Sequence, residues 1–165
     1  NHLNDLLNLI SKVQNKSFTF HFIGDGSQKK ILKKNFSHLD NIKFYKYIDY
    51  QNLHSTLVRM DCLVVGFGFD DKFPLFGYEL NKLNNYIMAS KPILVIGKKK
   101  NLCKNRGDFI FVTKNNSLTF EKKLILIKSK YNFFLKIAKK NKKKLLIRNN
   151  PMVIFRETVK HLKNL

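Results

Sequence analysis

Asp61-Cys62-Leu63-Val64-Val65 decides how this chain is built. Its apolar part, Cys62 to Val65, is far shorter than the roughly 18 to 20 apolar residues of a membrane span. It also lacks the alternation of a half-exposed strand. A short unbroken apolar run reads as a strand covered on both faces, the habit of parallel sheets. Pro92-Ile93-Leu94-Val95-Ile96 repeats the pattern. Between the two runs, Leu80, Leu83 and Ile87 keep helical spacing. Lys91-Pro92 is expected to end that helix, because the residue before a proline leaves the α region.

The same alternation of strand and helix extends upstream. Leu3, Leu6, Leu7, Ile10 and Val13 predict an amphipathic helix. Ser17 to Ile23 alternates every second residue and reads as a strand, closed by Gly24-Asp25-Gly26. A short basic helix follows, with Ile31 and Leu32 expected to face inward. Asn41 to Tyr45 reads as a second strand, and Leu53 and Leu57 mark another helix. A long loop is expected from Gly66 to about Tyr78, and a last short strand from Asp108 to Val112. The final third reads as helical, with a helix start at Pro151 and an apolar stripe of Phe155, Val159 and Leu162. The order predicts an α/β, Rossmann-like domain: a parallel sheet flanked by helices, with a helical C-terminal tail. The whole chain, 1–165, reads as a single domain.

Composition sets limits. Hydrophobic residues make up 44% of the 165, enough for a core. Cys62 and Cys103 form no spacing motif, which fits a reducing, cytoplasmic setting better than a disulfide framework. The five histidines show no metal spacing. The net charge of +21 has three readings. A chain rich in Lys, Asn, Ile, Phe and Tyr follows from A/T-rich codons without any ligand. A basic surface also suits an anionic membrane or nucleic acid. No nucleic-acid motif accompanies the charge, so no nucleic-acid partner is expected. The segment from Asn132 to Ile147 mixes Phe133, Phe134, Ile137, Leu145 and Leu146 with six lysines. It reads either as a helix packed by its apolar face or as a basic amphipathic helix on an anionic membrane.

Parallel sheets bind ligands at the carboxyl ends of their strands. The loops to read are therefore Gly24 to Ser27, Lys46 to Asp49, Gly66 to Tyr78 and Gly97 to Asn105. Gly24-Asp25-Gly26 reads either as a backbone cradle for an anion or as a plain strand-to-helix turn. It lacks the third glycine of the dinucleotide fingerprint. Gly77 to Tyr86 opens a helix. Its early amides and the Lys82 amino group suit a diphosphate, and a capped helix with a solvated lysine is the alternative.

Three segments carry a family resemblance. Phe76-Gly77-Tyr78-Glu79-Leu80-Asn81-Lys82-Leu83-Asn84-Asn85-Tyr86-Ile87-Met88-Ala89-Ser90-Lys91-Pro92-Ile93 resembles a signature of GT-B glycosyltransferases, in particular retaining glycosyltransferase family 4. Phe20 to Gly26 and Asn41 to Asp61 resemble two further family segments in the same order. The resemblance covers about residues 3 to 113. It implies the C-terminal, donor-binding half of a GT-B fold. The acceptor-binding N-terminal domain would be absent, and the half's own first strand would lie upstream of Asn1. It implies a nucleotide diphosphate sugar as donor substrate, no metal and no other cofactor. The implied reaction is hexosyl transfer to a saccharide or lipid-linked acceptor in bacterial surface polysaccharide or cell-envelope synthesis. The location would be cytoplasmic or peripheral at the inner face of the membrane.

By the match, Gly24, Gly26, Gly77, Tyr78, Asn81, Lys82 and Leu83 would meet the diphosphate, with Lys82 as the catalytic cation. Asn85 would meet the ribose, and Tyr47 and Ile48 the base. The chain departs from the family at several points. Gly77 and Asn85 stand where the family places its paired glutamates. Lys46 and Ser90 stand where it has glycines, and Glu79 where one variant has serine. Two other classes compete with the transferase reading: a basic nucleic-acid-binding domain and a catalytically silent assembly module.

Overall fold

The computed structural model describes residues 2–68, 80–97, 107–113 and 115–152. Helix α1 (His2–Ser11) leads to β1 (Phe20–Ile23), α2 (Lys29–Phe36), β2 (Ile42–Tyr45), α3 (Tyr50–Leu57) and β3 (Leu63–Gly68). Then come α4 (Leu80–Met88), β4 (Ile93–Gly97), β5 (Ile110–Val112), α5 (Ser117–Ser129) and α6 (Tyr131–Arg148). Among the described residues every strand pairing is parallel. Among the described residues no helix is long and apolar enough to cross a membrane.

The expected α/β architecture is present, but its strands form two hydrogen-bonded groups, β1-β2 and β3-β4-β5. They are joined by packing. One core holds Phe20 and Ile42 of the first group with Leu94, Ile96 and Val112 of the second, against α1 and α5. Phe20 and Phe120 stack across it with ring centroids 6.2 Å apart. A second core covers the opposite face of β3 and β4 with Leu57 of α3 and Leu83 and Ile87 of α4. All five residues of β4 are therefore buried, as its unbroken apolar run requires.

Several boundaries move for identifiable reasons. Strand β1 starts at Phe20 rather than Ser17, because its partner starts at Ile42 and the pairing begins at Phe20↔Ile42. Strand β3 runs through Gly66 to Gly68, where the sequence predicts loop. Gly66 pairs with Ile96 and Gly68 with Gly97, a register shift that admits one extra residue on β3. Helix α4 stops at Met88, before Lys91-Pro92. Ser90 takes φ +56°, the left-handed geometry that closes helices, and its N–H donates to the Ile87 carbonyl. Strand β5 is shorter than the Asp108–Val112 run. Ile31 of α2 points to solvent, and Leu32 alone of that pair is buried.

The tail helices are held by polar contacts as well as by their apolar faces. Asn116 caps α5 by accepting the Thr119 N–H at 2.9 Å. Glu121 accepts the Asn15 N–H at 2.7 Å, and Lys128 reaches Ser17 Oγ at 3.0 Å, so α5 fastens the turn before β1. On α6, Asn141 is buried and takes both backbone polar groups of Asp108. Its Oδ1 accepts the Asp108 N–H at 3.0 Å, and its Nδ2 donates to the Asp108 carbonyl at 2.9 Å. Gly107 beside it has φ +144°, and a Cβ there would lie 2.8 Å from the Asn141 side chain. Pro151 and Met152 are helical, with the Met152 N–H on Asn150 Oδ1. Phe155, Val159 and Leu162 lie outside the described residues.

Candidate functional site

The carboxyl ends of β1 and β2 lie side by side, because the two strands are in register from Phe20↔Ile42 to Ile23↔Tyr45. The loops that leave them are tied together. Asp25 accepts the Lys29 ammonium on Oδ1 at 2.5 Å and the Tyr47 N–H on Oδ2 at 2.6 Å. Lys29 Nζ also donates to the Tyr45 carbonyl at 2.8 Å, which the Gly24 N–H approaches at 3.4 Å. The Lys29 ammonium and the Tyr47 N–H hold the Asp25 carboxyl below its ordinary value of 3.8.

Gly24 has φ +142°, a geometry that favours glycine, and a Cβ at Gly24 or Gly26 would meet nothing within 4 Å. Backbone at both positions is thus open to a small ligand. The carboxylate between them is already neutralised locally by Lys29, so it repels an incoming phosphate less than a free aspartate would.

The β2–α3 loop presents aromatics to solvent. Tyr47 is 65% exposed and Tyr50, the first residue of α3, 73% exposed. Ile48 is half-buried. Behind them, His21 and Tyr45 stack with centroids 5.4 Å apart, and His21 Nδ1 lies 3.1 Å from the Tyr45 hydroxyl. Lysines 43 and 46 are also exposed here.

Helix α4 supplies the other candidates. Lys82, in its first turn, is exposed, and Asn85, three residues on and so on the same face, is half-buried. Leu83 turns its side chain into the core beneath β3 and β4, so only its backbone is left to offer a ligand. Gly77 and Tyr78 lie outside the described residues, as does the side chain of Asn81. Of the expected residues, then, the structure sets Gly24 against the end of β2, ties the Gly24–Gly26 turn to Tyr47 through Asp25, and places Lys82 and Asn85 on one helix face.

A cavity of about 60 Å³ lies elsewhere, between Pro92, Asp108 and Phe109 and the α6 residues Phe134, Ile137 and Asn141. It sits at the amino ends of β4 and β5, away from the edge where parallel sheets bind ligands. Asn141 lines it and ties α6 to Asp108 there, so it is a seam of the fold.

Asp25, Lys29 and Tyr50 stand outside the residues that the sequence patterns single out. The i,i+4 spacing of Asp25 and Lys29 was a visible signal for their pairing. Their grip on the next strand's backbone needed the sheet register.

No protein-family model matches the chain, and no curated protein sequence matches it. Solved structures do. The crystal structure of Anabaena Alr3699/HepE in complex with UDP-glucose aligns over 98% of this chain at 13% identity, with a TM-score of 0.67. The same protein in complex with UDP and glucose aligns over 98% at 14% identity, with a TM-score of 0.69. The chain spans 45% and 44% of those chains, less than half their length. At this identity the likeness shows the fold, a GT-B-like arrangement of parallel strands flanked by helices, found over nearly the whole of this chain.

Proposed function

We propose that the chain is the donor-binding half of a glycosyltransferase that uses a nucleotide diphosphate sugar. The observation that carries this reading is the fold match to a protein held with UDP-glucose, together with the GT-B-like signature from Phe76 to Ile93. In this reading Lys82 carries the positive charge that stabilises the leaving diphosphate. Backbone at Gly24, Gly26, Gly77, Tyr78, Asn81 and Leu83 surrounds the same group. Asn85 hydrogen-bonds the ribose, since its amide both donates and accepts. Tyr47 and Ile48 meet the base. Catalysis is positioning plus charge stabilisation in a dry cleft, and no metal is required of it. Retention of configuration and hexosyl transfer follow from the resemblance to family 4.

The reading includes an acceptor domain contributed by sequence beyond this chain, and a further strand, upstream of α1, between the edges that β1 and β3 leave unpaired among the described residues. The 165 residues alone are therefore expected to be inactive. The acceptor is a saccharide or a lipid-linked saccharide of the bacterial envelope. On α6, Phe133, Leu146 and Ile147 are exposed among Lys136, Lys139, Lys140 and Lys143. Such a face suits peripheral attachment to an anionic membrane from the cytoplasmic side. Salt-sensitive sedimentation with anionic but not neutral vesicles tests that part.

The central test is calorimetric binding of UDP, GDP, ADP and CMP at moderate salt. Selective binding of one nucleoside diphosphate, weakened by both Lys82→Ala and Asn85→Ala, is the expected result. Equal, salt-sensitive binding of all four, shared by random DNA, would replace the reading with simple electrostatics. Transfer activity by the 165-residue chain alone would overturn its assignment as a half-enzyme.

A further inference from the structure

Asp25 and Lys29 have no part in the roles assigned above, yet they join three segments. The carboxylate holds the Tyr47 N–H at 2.6 Å and the Lys29 ammonium at 2.5 Å, and the same ammonium holds the Tyr45 carbonyl at 2.8 Å. All four groups are near the surface, where an ion pair adds little to stability. The geometry matters more. Without the pair, the Tyr45 carbonyl would keep only the 3.4 Å contact from the Gly24 N–H, the Tyr47 N–H would bond to water, and the backbone beyond Tyr45 would lose its tie to the turn after β1. That backbone carries Tyr47, whose ring is largely in solvent and belongs to neither core among the described residues. An exposed ring on a rigid backbone suits stacking, because little freedom remains to be lost on binding.

We propose that Asp25 and Lys29 form a positioning latch that sets the Tyr47 ring to receive a nucleobase, so that affinity for the nucleoside part of a ligand runs through Asp25. The inference rests on the nucleotide-binding reading and extends it to residues that touch no ligand. It also makes a prediction opposite to simple electrostatics. Removing the Asp25 charge should leave pyrophosphate binding unchanged or strengthen it, since a negative charge near the site is lost. Binding of the nucleoside diphosphate should nevertheless weaken.

The experiment measures affinity of the intact protein for UDP, GDP and inorganic pyrophosphate, with Asp25→Ala, Asp25→Asn, Tyr47→Ala and the Asp25→Ala/Tyr47→Ala double variant. Melting curves check that each is folded. Asp25→Ala is expected to weaken the preferred nucleoside diphosphate about tenfold, within the range for loss of one stacked base. Asp25→Asn, which keeps one acceptor for the Tyr47 N–H, should weaken it less. The double variant should bind no more weakly than Tyr47→Ala alone, the non-additivity of two residues acting through one contact. If wild type binds a nucleoside diphosphate but Asp25→Ala binds it equally well, the latch is refuted and the nucleotide reading stands. Multiplying losses, or an equal loss of pyrophosphate affinity, also refute the latch. If wild type binds no nucleoside diphosphate, the nucleotide reading itself fails and the latch falls with it.

Discussion

The β1–β2 group and the β3–β4–β5 group solve the same problem differently. Strand β4 buries every residue from Ile93 to Gly97, with α4 covering one face and the α1–α5 core the other. Strands β1 and β2 each bury a single residue, Phe20 and Ile42. Phe22 and Phe44 pack on the same side, stacked at 5.5 Å, while His21, Lys43 and Tyr45 stay exposed. The thick group anchors the fold. The thin group is held by one core face and by polar contacts at its carboxyl end. The candidate base-binding loop thus belongs to the half with less apolar burial, where local openings cost least.

That contrast can be broken by mutation. Leu94→Ala should destabilise the protein by about 3–5 kcal/mol, while His21→Ala should cost less than about 0.5 kcal/mol. Chemical denaturation of both variants measures the gap, and comparable losses would erase the distinction between the groups.

Two of the three glycines with positive φ among the described residues extend the contrast. Gly107 and Gly24 share a positive φ, but only Gly107 has a neighbour where a Cβ would go. Gly107→Ala should cost about 2–4 kcal/mol through strain and displacement of Asn141, and Gly24→Ala about 1–2 kcal/mol through strain alone. Melting temperatures rank the pair, and the order must reverse if Gly24 is packed more tightly than its surroundings show.

A titration probes the inner group from another side. Burial pushes the Cys62 thiol from 9.0 up to about 12, with the Leu94 backbone hydrogen bond opposing and Asp61 adding to the rise. The unfolded chain loses this proton near its ordinary value and the folded chain does not. Below pH 9 the thiol therefore has no effect on stability, and above it stability falls until about pH 12. The comparison is with Cys62→Ala, which should lose about 1 kcal/mol less between pH 9 and 10. Parallel pH profiles for the two proteins would show that Cys62 reaches water.

The smallest effect has the opposite sign. Ser90 stands at φ +56° where the resembled family has glycine. Ser90→Gly should stabilise the protein by about 0.5–1 kcal/mol, because glycine takes the left-handed geometry without a Cβ clash. A fall in melting temperature would mean that the serine hydroxyl does something that its backbone does not reveal.

The order of elements and the kind of sheet are legible in the residues alone. Unbroken apolar runs at Leu63 and Ile93 require cover on both faces, and the alternation around Phe20 allows only one. The sequence also singles out Lys82, Asn85 and Tyr47 by their place in a recognisable pattern. Tertiary structure decided what those patterns leave open. The division of the strands into two groups depends on which edges find a partner. The termination of α4 at Ser90 depends on a backbone angle that no residue type other than glycine announces. The grip of Asp25 on Tyr47, and of Asn141 on Asp108, joins residues 22 and 33 positions apart. Polar contacts of that range have no period in the sequence, because they depend on where two separate segments come to rest.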